Sequence, residues 1–204
     1  MSMEIDRSPR SHAGRLVGLL ALAALACMSS PAAAQIGFED EQPFQRHVAL
    51  EGRLGATFPT GELSDLGATA SHALTLNLLY NFTPRWGGYV GWDFHDFGCD
   101  GCPDVIGSEG PRAGVQYTLP WRGAALPWVR AGLLLAKLTA IQGGVEVESG
   151  SELGMELGTG VDFRLTPRVS VSPGASFVFY SAGLPGDDLF VPYFLLDLGG
   201  RYSF

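Results

Sequence analysis

From residue 48 onward, apolar and polar side chains alternate with period two, segment after segment, and this alternation constrains the fold more than any other feature. Residues 48–58 place Val48, Leu50, Leu54, Ala56 and Phe58 on one face and Glu51, Arg53 and Thr57 on the other. Residues 74–82 repeat the scheme, with Leu74, Leu76, Leu78, Tyr80 and Phe82 against Thr75, Asn77 and Asn81. Residues 86–94, 112–119, 153–165, 169–180 and 191–204 follow the same rule. Successive side chains of a strand point to opposite faces, so a period of two means strands with one apolar side. Residues 126–138 alternate only in part, and Arg130 groups Trp128, Arg130 and Gly132 on the polar face. Pro173 cannot donate to a ladder, so a bulge is expected there.

These segments number eight, and each is close to the ~9–11 residues with which a tilted strand crosses a bilayer. Short connections ("FTPRW", "TLPWRGAALP", "LTPRV") alternate strictly with long ones at about 59–72, 95–111, 139–152 and 181–190. Even strand number, dyad alternation and unequal connections are marks of a transmembrane β-barrel. The expected fold is therefore all-β: an eight-stranded, antiparallel, up-and-down transmembrane barrel with four long outer loops and three short periplasmic turns.

A water-soluble barrel would also alternate, but with its apolar face inward. Two features favour the membrane. The polar face carries Glu51, Asp93, Glu156, Asp162 and Asp197 against Arg53, Arg112, Arg130, Arg164 and Arg201, five of each sign. A crowded lumen requires such balance, because an unpaired buried charge is costly. The aromatics of the apolar face also gather at strand ends. Phe82, Trp86, Trp121, Phe163, Tyr202 and Phe204 lie at the turn side, and Phe58, Trp92, Phe94, Phe177, Phe179 and Phe194 at the loop side. Two such girdles suit two membrane interfaces.

The N-terminus has a different character. Arg7, Arg10 and Arg15 precede "LVGLLALAALACM" and then "SSPAAAQ", the order of a secretory signal with its cut after Ala34. This divides the chain into a signal at 1–34, a periplasmic segment at 35–46 and a barrel at 47–204. Beyond residue 34 there are ten basic and nineteen acidic residues, a balance of −9. That argues against nucleic acid as a partner, which calls for a basic surface. Export also implies an oxidising compartment. Cys99 and Cys102 then remain, and a single disulfide is the simplest arithmetic. Metal binding together with His95, and free thiols, are the other two readings.

The end of the sequence, "GGRYSF", carries a resemblance. A final strand closing on Phe204, with Tyr202 two residues before it and Leu198 on the same face, resembles the assembly signal of bacterial outer-membrane barrels. The alternating region as a whole resembles the small eight-stranded outer-membrane protein superfamily, which includes the membrane domain of outer-membrane protein A and the opacity-type adhesins. The resemblance implies residence in the outer membrane of a Gram-negative-type bacterium. It also implies contact with lipid and lipopolysaccharide, and assembly by the machinery that reads the last strand.

No cofactor is implied by any motif. The outward connections hold eleven carboxylates, at Glu62, Asp65, Asp96, Asp100, Asp104, Glu109, Glu146, Glu148, Glu152, Asp187 and Asp188, with Lys137 at their edge. Hard cations favour carboxylate oxygen, so divalent cations or an extracellular ligand are candidate partners. His95, Asp100, Asp104, Asp187 and Asp188 are the places to look for a metal. Some small outer-membrane barrels modify lipid A, but Tyr180 in "FYSAG" stands where that chemistry needs a histidine, and His72 or His95 reaches Ser181 only by loop folding. A pore is also disfavoured, since eight strands enclose room only for side chains. The expectation is a non-enzymatic barrel that displays acidic loops for envelope integrity or surface binding. A lipid A enzyme and a low-conductance pore are the alternatives.

Overall fold

The structure, a computed structural model, describes residues 47–65, 67–99, 106–121, 123–142, 145–184 and 187–204. The signal at 1–34, the segment at 35–46, Asp100, Cys102 and Asp104 lie outside the described residues, as do the side chains of Cys99, Asp187 and Asp188. The proposed disulfide and four of the five metal candidates fall there.

Among the described residues, eight long strands form one sheet. They are β1 (His47–Pro59), β3 (Ser71–Asn81), β4 (Trp86–Cys99), β5 (Ile106–Thr118), β6 (Ala125–Gln142), β7 (Val145–Arg164), β8 (Val169–Leu184) and β9 (Asp187–Ser203). A two-residue strand β2 (Ala68–Thr69) and a one-turn helix α1 (Glu62–Asp65) lie between β1 and β3. Each long strand pairs antiparallel with the next, and β1 pairs with β9, Ala49 opposite Ser203 and Pro59 opposite Tyr193. The sheet is thus closed, which removes the exposed edges that an open sheet must protect.

The faces divide as the alternation requires. Leu54, Val90, Leu157 and Leu198 are each more than half exposed on the outer wall, while Glu51 and Arg53 are buried inside it. An apolar exterior around a polar interior is the inverse of a soluble barrel and suits hydrocarbon as the surrounding solvent. Aromatic contacts mark the two rims of this band. Trp86 packs on Tyr117 with ring centroids 4.8 Å apart, and Tyr202 on Phe204 at 5.2 Å. At the other rim Phe177 meets Phe194 at 4.8 Å. The eight residue steps from Trp86 to Phe94 span about 26 Å along the strand, or about 20 Å when projected at a tilt near 40°. That approaches the apolar band of ~25 Å expected for such barrels.

Past the loop-side girdle the structure departs from expectation. Residues 95–99, 106–111, 139–142, 145–152, 181–184 and 187–190, anticipated within loops, continue the ladder as paired strands. In this extension the polarity reverses. Phe97, Leu138, Ala182, Val191 and Tyr193 are buried inside, with Leu63 of α1 among them. Asp96, Glu109, Lys137, Glu148 and Ser181 stand outside. A wall facing water must bury its apolar side chains inward, so the reversal marks where lipid ends. The segment after β1 folds over the mouth, with the Thr60 amide donating to the Pro192 carbonyl at 3.0 Å.

The bulge expected at Pro173 is not there. β8 keeps one register with β9 from Val169–Tyr202 through Pro173–Leu198. The ladder to β7 is interrupted instead, between Gly160–Gly174 and Phe163–Val171, so the missing donor is absorbed as a gap without an inserted residue. A register shift does occur in β6–β7, between Lys137 and Thr139.

Candidate functional site

The barrel interior is an ionic network built from inward positions of six long strands, to which β3 and β8 add neutral partners. Glu51 of β1 is its hub. Its carboxylate lies 2.7 Å from Arg201 of β9, 3.3 Å from Arg53 and 3.5 Å from Arg130 of β6. Arg53 also pairs with Asp197 of β9, and Arg201 with Asp162 of β7 at 2.6 Å. Nearer the extended end, Arg112 of β5 bridges Asp93 of β4, at 2.9 Å, and Glu156 of β7. Glu156 closes the circuit through Arg130 at 3.2 Å. Among the described residues this joins four guanidiniums to five carboxylates across six strands.

Neutral side chains complete the hydrogen bonding. Asn77 donates to Glu51 at 3.0 Å, Thr75 to Asp93 at 2.6 Å, and Ser176 and Tyr89 to Glu156 at 3.0 and 3.1 Å. Two aromatic rings lie in the same layer. The Arg130 guanidinium sits 4.7 Å from the Trp128 ring and 5.7 Å from the Tyr89 ring, held between two π-faces that favour a cation. Tyr89 and Trp128 were not named as members by charge counting, although both sit on the polar face. A large aromatic at an inward position beside an arginine was the available signal.

Glycines make room for these groups. A Cβ at Gly158 would stand 2.7 Å from Ser176 Oγ and 3.0 Å from Arg130 Cγ, and one at Gly132 would collide with Tyr89. Their lack of a side chain is therefore a packing requirement of the lumen.

Nine of the ten residues expected in the lumen come together in this network. The exception is Arg164, which is exposed at the turn end of β7. Alternation gives it inward parity, but the strand reaches the rim before its side chain can be covered. His95 is corrected as well. It is not a loop residue but part of β4, 2% exposed inside the barrel, with Nδ1 2.6 Å from the Tyr193 hydroxyl. It therefore does not sit among the outward carboxylates as a metal ligand. Among the described residues no group of three or more His, Cys, Asp or Glu is placed to hold a metal ion. Leu198, Tyr202 and Phe204 all face outward on the last strand.

On the outer wall of the extension, Lys137 meets Glu148 at 2.6 Å and His72 meets Asp96 at 2.6 Å. His72 Nδ1 is also 3.3 Å from Ser71 Oγ. Serine, histidine and aspartate are the residue types of acyl transfer. Here, however, the imidazole is 81% exposed, so water competes at both contacts and the dry, fixed setting on which that chemistry depends is missing.

The lumen has one further property. Glu51, Arg53, Arg130 and Glu156 are each under 5% exposed, so side chains fill the middle of the barrel. Above them lies the apolar cluster around Phe97 and Leu63. Among the described residues, these packed charges brace the wall at this level.

A family described as outer membrane protein β-barrel domain matches residues 20–189. No curated protein sequence matches the chain. Among solved structures, Neisserial surface protein A is similar with a TM-score of 0.65 at 16% identity, over 77% of this chain and 97% of that one. Ail, the attachment invasion locus protein of Yersinia pestis, is similar with a TM-score of 0.51 at 14% identity, over 78% of this chain and all of that one. The N-terminal β-barrel domain of Pseudomonas aeruginosa OprF gives 0.51 at 13% identity, over 78% and 100%.

Proposed function

The chain belongs to the outer membrane protein β-barrel domain family, and on that basis we propose that it is a non-enzymatic scaffold that holds acidic segments at the cell surface. In this reading a leader at 1–34 directs export. Leu198, Tyr202 and Phe204 present the last strand to the assembly machinery, the short connections face the periplasm, and the extended strand ends face outward among lipopolysaccharide. The work of the barrel is envelope integrity or surface binding, with divalent cations or a cationic ligand bridging the outward carboxylates.

One observation carries this reading. The interior is occupied by its own paired charges, so function falls to the outer surface, where loops and strand ends vary freely on a rigid frame. The names of Neisserial surface protein A and of the Yersinia attachment protein refer to surface and attachment roles of those proteins. They lend support here through shared architecture alone.

Cells lacking the protein are expected to leak periplasmic enzymes under chelator and detergent stress. The wild-type chain should restore resistance, and a chain carrying Asp96→Asn, Glu109→Gln and Glu148→Gln should not. Equal restoration by both chains would remove the carboxylates from the account. Changed lipid A acyl number on expression would favour the enzyme reading, and stepwise conductance in a planar bilayer would favour the pore.

A further inference from the structure

The two shortest connections use the same turn. In Phe82–Trp86 the amides of Phe82 and Thr83 both donate to the Trp86 carbonyl at 3.1 Å, and Thr83 Oγ1 accepts from Trp86 at 2.8 Å and Arg85 at 3.3 Å. In Leu165–Val169 the amides of Leu165 and Thr166 donate to the Val169 carbonyl at 2.9 and 3.1 Å, and Thr166 Oγ1 accepts from Val169 at 3.0 Å and Arg168 at 3.3 Å. Proline pre-sets the backbone in each, and the threonine hydroxyl locks the corner. The turn thus places an exposed arginine at the foot of an apolar wall twice, at opposite quarters of the barrel. No Asp or Glu occurs in either turn or in the third short connection, residues 119–124, which carries Arg122.

What lies above the two arginines differs. On the wall above Arg168, Gly52 and Gly200 are register partners across the β1–β9 seam and both face outward. They floor a groove of about 410 Å³, bounded by Leu54, Leu74, Val171 and Leu198. A Cβ at Gly200 would meet nothing within 4 Å, and one at Gly52 would touch Leu76 only at 3.7 Å. Val171, opposite Gly200, is three residues from Arg168, about 10 Å along β8. Above Arg85 the outward glycine is Gly88, whose register partners are Tyr80 and Val115, so no second glycine widens the gap; a Cβ there would meet the Gly114 carbonyl oxygen at 3.7 Å and the Phe82 ring at 3.9 Å.

We propose that the β8–β9–β1 wall is a binding site for a phospholipid of the periplasmic leaflet, with an acyl chain in the Gly52–Gly200 groove and the headgroup phosphate on Arg168. The groove is apolar and opens toward hydrocarbon. Arg168 directly precedes Val169, the register partner of the girdle residue Tyr202, and its carbonyl accepts from the Ser203 amide at 2.8 Å, which sets it at the depth of a headgroup. Arginine matches phosphate as a fork of donors. The inference rests on the sidedness proposed above, since short turns at the cell surface would meet lipid A instead.

The test is native mass spectrometry of the barrel released from detergent micelles containing phosphatidylglycerol, phosphatidylethanolamine or lipid A in separate arms. The wild type is expected to retain one phospholipid. Gly200→Leu, which fills the groove and excludes several methylenes, should lower retention about tenfold. Arg168→Gln should lower retention of phosphatidylglycerol about fivefold, the effect of roughly one basic contact to an anionic lipid. Arg85→Gln, with the same turn below a single glycine flanked by Tyr80 and Val115, should retain lipid as the wild type does. Gly52→Leu provides a second occlusion if Gly200→Leu does not reach the heat-modifiable folded form.

Wild-type retention by both Gly200→Leu and Arg168→Gln overturns the site, as does an equal loss in Arg85→Gln. Preferential retention of lipid A overturns the choice of phospholipid. Sidedness is read separately, with an epitope inserted at Gly123 or at Gly67. Antibody should reach only the Gly67 epitope on intact cells. If it reaches Gly123, the orientation falls whatever the lipid result. If it does not, and lipid retention is indifferent to the groove, the site alone falls.

Discussion

Glu51→Gln is expected to destabilise the folded barrel by about 3–5 kcal/mol, the cost of breaking a buried ion pair. The side chain is fully buried and touches three guanidiniums, those of Arg53, Arg130 and Arg201. Glutamine keeps the shape and removes the charge. Each guanidinium retains another carboxylate, so folding should survive, but Arg130 must then share Glu156 with Arg112. Arg130→Met should cost less. It removes one cation while Glu51 keeps two and Glu156 keeps Arg112. The double variant Glu51→Gln/Arg130→Met is accordingly expected to be more stable than the sum of the singles, because removing Arg130 relieves the repulsion among the three guanidiniums left around the neutralised side chain. Urea unfolding in lipid vesicles, read from the midpoint, measures all three. A Glu51→Gln effect under 1 kcal/mol is what a solvated surface pair would give, and it would sink the assignment of this network to a dry interior.

The second large effect belongs to the opposite face. Val90 is 56% exposed midway between the Trp86 and Phe94 girdle positions of β4. Val90→Arg should cost about 2–4 kcal/mol in a bilayer, the penalty for a cation near the midplane of a barrel wall. Ser151→Arg, on the polar outer wall of the extension, should change stability by less than 0.5 kcal/mol, as an ordinary surface substitution does. The pair therefore measures where lipid ends along the barrel. Similar costs at both positions would contradict the boundary drawn by the reversal of polarity.

That reversal also explains which parts of the fold could be read in the sequence. Within the membrane band, one rule sorts most positions: charge and hydroxyl inward, apolar outward, with Leu79 and Ala49 as buried inward exceptions. Leu50, Leu54 and Leu198 could be placed against Glu51, Arg53 and Asp197 from parity alone. Beyond Phe94 the rule inverts, and Phe97, Leu138 and Val191 point inward while Asp96 and Glu109 point out. A search for a continuous apolar outer face stops at the inversion and reads the remainder as loop, although alternation itself persists. His95 fell on the wrong side of that boundary for this reason. Arg164 failed differently, because parity gives a direction but not the height at which the barrel ends. Leu63 was beyond period-two reasoning altogether, since a one-turn helix carries it to the mouth through contacts distant in sequence. Pro173 shows the converse, a local rule outvoted by the registers of both neighbouring strands.

The ion network was legible as composition and only partly as geometry. Equal numbers of opposite charges on one face predicted pairing, but not that Glu51 would be the hub. That depends on which residues of non-adjacent strands meet across a lumen closed by the β1–β9 seam. The clamp of Trp128 and Tyr89 around Arg130 has the same origin, since β4 and β6 are separated by β5 and their inward side chains meet only in the closed cylinder.

The central claim, apolar wall to lipid and ionic face within, is most directly measured by tryptophan fluorescence in vesicles of acyl-chain-brominated lipid. The four tryptophans divide into Trp86 and Trp92, each more than 40% exposed on the outer wall, Trp121, exposed in the short connection after β5, and Trp128, buried in the lumen beneath Arg130. Single-tryptophan variants retaining Trp86 or Trp92 are expected to be strongly quenched, and the variant retaining Trp128 to keep nearly full emission. Strong quenching of Trp128 with Trp86 and Trp92 left bright would mean that the wall is inside out.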